Sequence, residues 1–259
     1  MMTFLAPAVM CLRAYSITGE RAYLIQAKTT FDGTWARAWS ASLGGGLWNT
    51  AARRSKNTCV VAPAVIVACM LDRSLHDRTY RQKAKRLFGW LEKTLYDPAN
   101  GAVYDHVSGP GAPSSSPRVV VDRSVYSYNQ GGFIGAADLL YRITGERHYF
   151  DLAVRALRFA MDRLTVGGVL RGETTASDSK WASAGGFKGM FVRWASMFLR
   201  HNRIHAYDAW FRRNVAAVRR HANADGLIGE RWPERTGGGV LVAFSCSSAV
   251  VLLQWYPPS

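Results

Sequence analysis

The chain has 259 residues, 48% hydrophobic and 20% charged, a balance that supports a buried core and excludes bulk disorder. Lys and Arg outnumber Asp and Glu by 33 to 18, so the surface carries a positive field. The basic residues are spread along helices and no nucleic-acid module accompanies them, which argues against nucleic acid as a partner. The apolar runs Ala62 to Leu71 and Ala249 to Trp255 are shorter than the roughly 20 residues of a bilayer-spanning helix, so no transmembrane helix is predicted.

The opening stretch, MMTFLAPAVMCLRAYSITGE, reads as a buried first helix, because no basic segment precedes its apolar run and no small-x-small cleavage site follows. A cytoplasmic location is the resulting expectation for the chain as it stands, one that an upstream segment would change. Gly19 in "TGER" ends this helix and Glu20 sits near the start of the next. The same connector returns later, where Tyr141, Thr144, Gly145, Glu146, Arg147 and Tyr149 align with Tyr15, Thr18, Gly19, Glu20, Arg21 and Tyr23. Leu152, Ala153, Ala156, Leu157 and Ala160 then follow the three-four spacing of a helix with one buried face.

Looser copies run through CVVAPAVIVACMLDRSLHDRTYRQKAKRLFGWL and FKGMFVRWASMFLRHNRIHAYDAWFRRNVAAV, the second with Phe187, Phe191, Trp194 and Phe198 on one face. Repetition at this period predicts an array of helical hairpins. Each hairpin is followed by glycine and a short extended patch, at Gly44, Asn100, Gly167 and Asp225. Closure of the array would gather the opposite loops, with "SYNQGG" and "GGFKG", around one mouth. The expected fold is therefore all-α, an α/α barrel forming one domain over residues 1–259.

Asn129 and Gln130 offer amide donors and acceptors suited to sugar hydroxyls, and Tyr126, Tyr128 and Trp48 offer flat apolar faces. The alternative is that Asn129 caps its helix and Gln130 binds a loop carbonyl. Lys188, between glycines, can reach a sugar hydroxyl or neutralise a buried carboxylate. Asn57 opens its helix, either facing the mouth or serving as N-cap, and Gly44 to Gly46, Gly45 included, form a backbone turn beside the cleft. The carboxylates outside helix surfaces, Asp105, Asp122, Glu173, Asp178, Glu230 and Glu234, include no adjacent pair and read as solvated loop charges. Cys11, Cys59, Cys69 and Cys246 show neither a disulfide framework nor zinc spacing. His106 falls in a long loop, and His201 and His205, four apart, lack a third ligand, so no metal and no cofactor are expected.

In order along the chain, "LGGGLW" before Lys56 and Asn57, "YSYNQGGFIGAADLLYRITGERHY" and "GGFKGMFVRW" resemble glycoside hydrolase family 76, from about Met1 to "SCSSAVVLLQW". The resemblance implies an (α/α)6 six-hairpin toroid that cleaves α-1,6-linked mannan with retention. It implies two adjacent aspartates, nucleophile and general acid/base, before the helix leading into the first connector, where this chain has Met1, Met2 and Thr3. The toroid is therefore expected to be incomplete at its N-terminus, without catalytic residues but with Trp48, Gly45, Asn57, Tyr128, Asn129, Gln130 and Lys188 toward substrate. Retaining hydrolysis needs two carboxylates about 5 Å apart, so the expected role is recognition of mannose-containing oligo- or polysaccharides with little or no turnover. A non-catalytic glycan-binding module is the alternative, and a basic binder of nucleic acid or anionic lipid is less favoured. The apolar flank of the first hairpin predicts weak self-association.

Overall fold

A computed structural model of the chain describes residues 5–109, 118–173, 184–238 and 241–257. Its helices are α1 (Ala6–Thr18), α2 (Arg21–Ala38), α3 (Thr58–Leu75), α4 (Arg78–Leu95), α5 (Ser127–Thr144), α6 (Arg147–Arg163), α7 (Lys188–His201), α8 (Asp208–Arg220) and α9 (Ala243–Trp255). Positions 1–3 and Asp178 lie outside the described residues.

The repeated connector builds the same joint twice. Gly19 and Gly145 adopt left-handed φ of 72° and 74° and donate to Tyr15 O and Tyr141 O at 2.8 and 2.7 Å. Thr18 and Thr144 each donate Oγ1 to the carbonyl four residues back and accept the N–H two residues on, at Glu20 and Glu146. Side chain and glycine together satisfy helix-end groups that would otherwise lack partners.

The odd-numbered helices pack side by side in chain order, α1 on α3, α3 on α5, α5 on α7 and α7 on α9, while α2, α4 and α6 each lie against the inner helix before them. This inner and outer arrangement follows from patterning. In α4 the buried Tyr80, Ala84, Leu87, Phe88, Leu91 and Leu95 form one stripe, whereas α5 is buried along most of its length. α3 is apolar and long enough by composition to cross a bilayer, with a mean hydropathy of 1.7, but two-thirds of it is buried between α1 and α5.

The helices leave room for a small sheet, of which only the middle strand overlaps an extended patch expected from the sequence, the one at Asn100. β1 (Lys56–Asn57), β2 (Tyr104–Ser108) and β3 (Val120–Val125) form an antiparallel sheet in that order. His106 and Asp122 therefore face each other across paired strands, where a long loop was expected. β1 runs directly into α3, and β3 is one residue from α5. The first three extended patches after the outer helices form the Trp39–Leu47 and Tyr96–Val103 bridges and the hairpin of β4 (Thr165–Val166) and β5 (Val169–Leu170), whereas the fourth, from Asp225, forms no strand among the described residues. Each patch leads from an outer helix to the next inner one, so the patches share an end with "SYNQGG" and "GGFKG", contrary to the opposite-end expectation.

α5 and α7 approach so closely that a Cβ on Gly131 would lie 2.4 Å from Phe191 Cα, and one on Gly135 would lie 2.5 Å from the Trp194 ring. Gly131→Ala is expected to cost about 3 kcal/mol, the upper range for overpacking. Gly89→Ala, at an exposed position of α4 with nothing within 4 Å, should instead stabilise by about 0.5–1 kcal/mol. Urea midpoints of the two variants measure both, and equal effects would refute the packing account.

Candidate functional site

The mouth begins at the glycine turn before α3. Lys56 on β1 is fully buried, and its Nζ donates to Ser40 O, Ser42 O and Gly45 O at 2.8, 2.6 and 2.6 Å. Its ammonium also sits 4.7 Å from the centre of the Trp48 ring. Burial brings the lysine down to about 8, and the three carbonyls and the aromatic face oppose that by favouring the charged form. Trp90 closes the turn from α4, donating Nε1 to Leu43 O at 2.8 Å.

This geometry gives several predicted residues other work. The Gly45 carbonyl accepts from Lys56, and a Cβ there would meet Trp90 at 3.2 Å. Trp48 is only 3% exposed and already carries Lys56 against one face, so it is not an open platform. Asn57 does occupy the N-cap position of α3, yet its Oδ1 accepts from Ser55 Oγ at 2.6 Å and caps nothing. It pairs across the sheet with His106, which joins this cluster to the next.

The first turn of α5 carries the central group. Tyr126 and Tyr128 stack with ring centres 5.3 Å apart and planes 12° from parallel. Tyr128 meets Phe187 at 5.2 Å, and Phe187 meets Phe244 edge-on at 5.0 Å, so four rings form a ladder toward the start of α9. Asn129 is buried, the third residue of its helix and not a cap, and its Nδ2 donates to Asp105 Oδ1 at 2.9 Å. Asn129 Oδ1 and both amide atoms of the fully buried Gln130 have no hydrogen-bond partner among the described residues.

Asp105 and Glu173 are not the solvated loop charges expected. Asp105, its side chain 16% exposed, also faces Tyr128 OH at 3.4 Å and His106 Nδ1 at 2.8 Å. Glu173 accepts from the Ser127 N–H and hydroxyl, placing a carboxyl at the N-terminus of α5. Burial pushes Glu173 up, while the Ser127 bonds and Lys188 oppose the shift. Lys188 is fully buried at the start of α7, brought down to about 7 by that burial. It donates to Glu230 O and lies 4.1 Å from the centre of the Trp232 ring. Of the two readings left open by the sequence, charge compensation near Glu173 and Glu230 is the one this placement favours.

Tyr128, Asn129, Gln130 and Lys188 thus gather at the starts of α5 and α7, and Gly45, Trp48 and Asn57 around Lys56. Lys56, Asp105, Phe187 and Phe244 were not picked out for the site. Phe187 reads in the sequence as an ordinary apolar-face residue, and Phe244 carries no local signal, since its exposure is visible only in the fold. Among the described residues no three His, Cys, Asp or Glu side chains are grouped to hold a metal. His201 pairs with Asp138 at 2.6 Å and His205 with Asp208 at 3.2 Å. Cys59 is exposed at the start of α3.

His106 is raised first by its hydrogen bond to Asp105, with Asp122 adding to the effect and burial opposing it. A base raised on folding contributes stability fully below the ordinary histidine value of about 6.5, and loses it as pH rises through the raised value. The urea-midpoint gap between the native chain and His106→Gln should therefore be largest below the ordinary histidine value of about 6.5 and shrink as pH rises above it. A gap independent of pH would remove the charged pair from the account.

The family model for glycosyl hydrolase family 76 matches residues 3–250. An inactive variant of an α-1,6-mannanase from Salegentibacter sp., solved with α-1,6-mannotriose, is 29% identical with a TM-score of 0.85, over 96% of this chain and 72% of that one. A protein from Listeria innocua is 27% identical with a TM-score of 0.85, over 97% and 70% of the two chains. A family 76 mannosidase from Bacteroides thetaiotaomicron, 19% identical with a TM-score of 0.78 over 97% and 68%, shares the fold. No curated protein matches the chain. The helical architecture is that of the six-hairpin α/α toroid, and the chain belongs to glycoside hydrolase family 76.

Proposed function

We propose that this 259-residue chain binds α-1,6-linked mannose oligosaccharides at the mouth of its inner helices and does not hydrolyse them. The observation that carries the reading is the ladder of Tyr126, Tyr128, Phe187 and Phe244 beside the Asn129 amide. Flat rings suit the C–H faces of pyranoses, and a fixed amide suits their hydroxyls.

Two chemical arguments support binding without turnover. Retaining hydrolysis requires one carboxylate to attack and another to protonate the leaving oxygen, and the sequence contains no two adjacent acidic residues. The half-buried carboxylates at the mouth are engaged, Asp105 by three donors and Glu173 by Ser127. The Salegentibacter mannanase variant, inactive with two neighbouring aspartates replaced, is solved in complex with its trisaccharide. In that relative, glycan binding does not require hydrolysis.

Calorimetric titration with α-1,6-mannotriose should show binding that moderate salt leaves unchanged. Removing a stacking ring by Tyr128→Ala should weaken that binding about tenfold. Prolonged incubation with α-1,6-mannan should release no reducing ends. Turnover, particularly turnover abolished by Asp122→Asn, would overturn the proposal and establish a separate acid/base pair on the sheet.

Self-association is part of the same reading, supported by Met10, Ile17 and Ile25 on the first hairpin, exposed by 68%, 83% and 62%. Sedimentation should show a concentration-dependent dimer that Ile17→Asp removes. A monomer at all concentrations would count against it.

A further inference from the structure

We propose that Asp105 is a positioning residue for ligand selection, fixing which face of the Asn129 amide meets the bound sugar. This rests on reading the mouth as a glycan site. An amide side chain has a donor end and an acceptor end of nearly the same shape, and rotating it by half a turn reverses what it recognises. An ionised carboxylate only accepts, so Asp105 Oδ1, 2.9 Å from Asn129 Nδ2, requires the NH2 end to face it. Asn129 Oδ1 is then turned away from Asp105, buried and without a partner among the described residues. An acceptor fixed in this way selects a hydroxyl donor from the ligand.

Asp105 is itself held in place. Its Oδ2 meets His106 Nδ1 at 2.8 Å, and the Tyr128 hydroxyl approaches Oδ1 at 3.4 Å. His106 stands in β2 opposite Asp122 of β3, whose Oδ2 lies 3.7 Å from the same Nδ1. The sheet thus fixes the carboxylate, the carboxylate fixes the amide, and Tyr128 ties the arrangement to the ring ladder. With three donors from its own chain, Asp105 acts on ligand through Asn129 and is not assigned a catalytic role.

A double-mutant cycle in affinity for α-1,6-mannotriose tests this. Asn129→Ala and Asp105→Ala should each weaken binding about tenfold, and the double variant should also lose about tenfold, not a hundredfold. Asp105→Asn keeps the shape but can turn either its oxygen or its NH2 toward Asn129. It should lose less than Asp105→Ala and nothing further in the Asn129→Ala background. Independent, additive losses would overturn the proposal, since a merely structural carboxylate weakens the site whether or not Asn129 is present.

A second measurement needs no ligand. The side-chain NH2 resonances of Asn129, identified by their loss in Asn129→Ala, should be dispersed and slow to exchange in the native chain. They should move toward free-amide positions in Asp105→Ala, or in Asp105→Asn if the alanine variant does not fold. Unchanged resonances would overturn the proposal even if mannotriose binds. If the native chain binds no mannotriose, the functional reading falls and the amide resonances alone decide the role of Asp105.

Discussion

The mouth of this protein depends on the closeness of α5 and α7. Glycine at 131 and 135 lets the backbone of one helix pack against Phe191 and Trp194 of the other, where any side chain would collide. That approach aligns their first turns, placing Phe187 against Tyr128 and bringing Lys188 close enough to Glu173 for each to alter the other's protonation. The spacing is a backbone property, so the side chains at the mouth inherit their relative positions from it. Packing in the core and the arrangement of side chains at the rim both follow from one helix pair.

Around that pair, buried charge is handled mostly by the main chain. Lys56 spends its three protons on three carbonyls, Lys188 bonds to Glu230 O, and Glu173 accepts the first amide of α5. Charged side chains can be buried when their hydrogen-bonding groups are satisfied, and fixed backbone dipoles do this without ordering another flexible partner. Asp105 is held instead by side chains from two elements, and the buried Asp138 of α5 by the side chains of His201 and Asn202.

The helical frame was legible because its signals are local. "TGER" contains the glycine that reverses the chain and the threonine that bonds both sides of the reversal, and both copies form the same joint. The apolar stripes of α4 and α6 mark their buried faces in the same way. The sheet was not legible, because β1 has two residues and β3 is largely exposed, giving neither a long nor a strongly alternating pattern. Asp105 looked like any loop acid, since its importance lies in Asn129, 24 positions away. Trp48 looked like a sugar platform because aromatic character is visible in sequence, whereas the lysine lying against its face is not.

The Lys56 ammonium has a further consequence. Ringed by carbonyl oxygens at 2.6 to 2.8 Å, it fills the place that a dissolved monovalent cation takes in many carbonyl-lined turns. Here the ion is covalently attached to the strand that leads into α3. The glycine turn therefore cannot lose its ion by dilution or exchange it for another. Its shape is coupled to the folding of its own chain and insulated from the ionic composition around it.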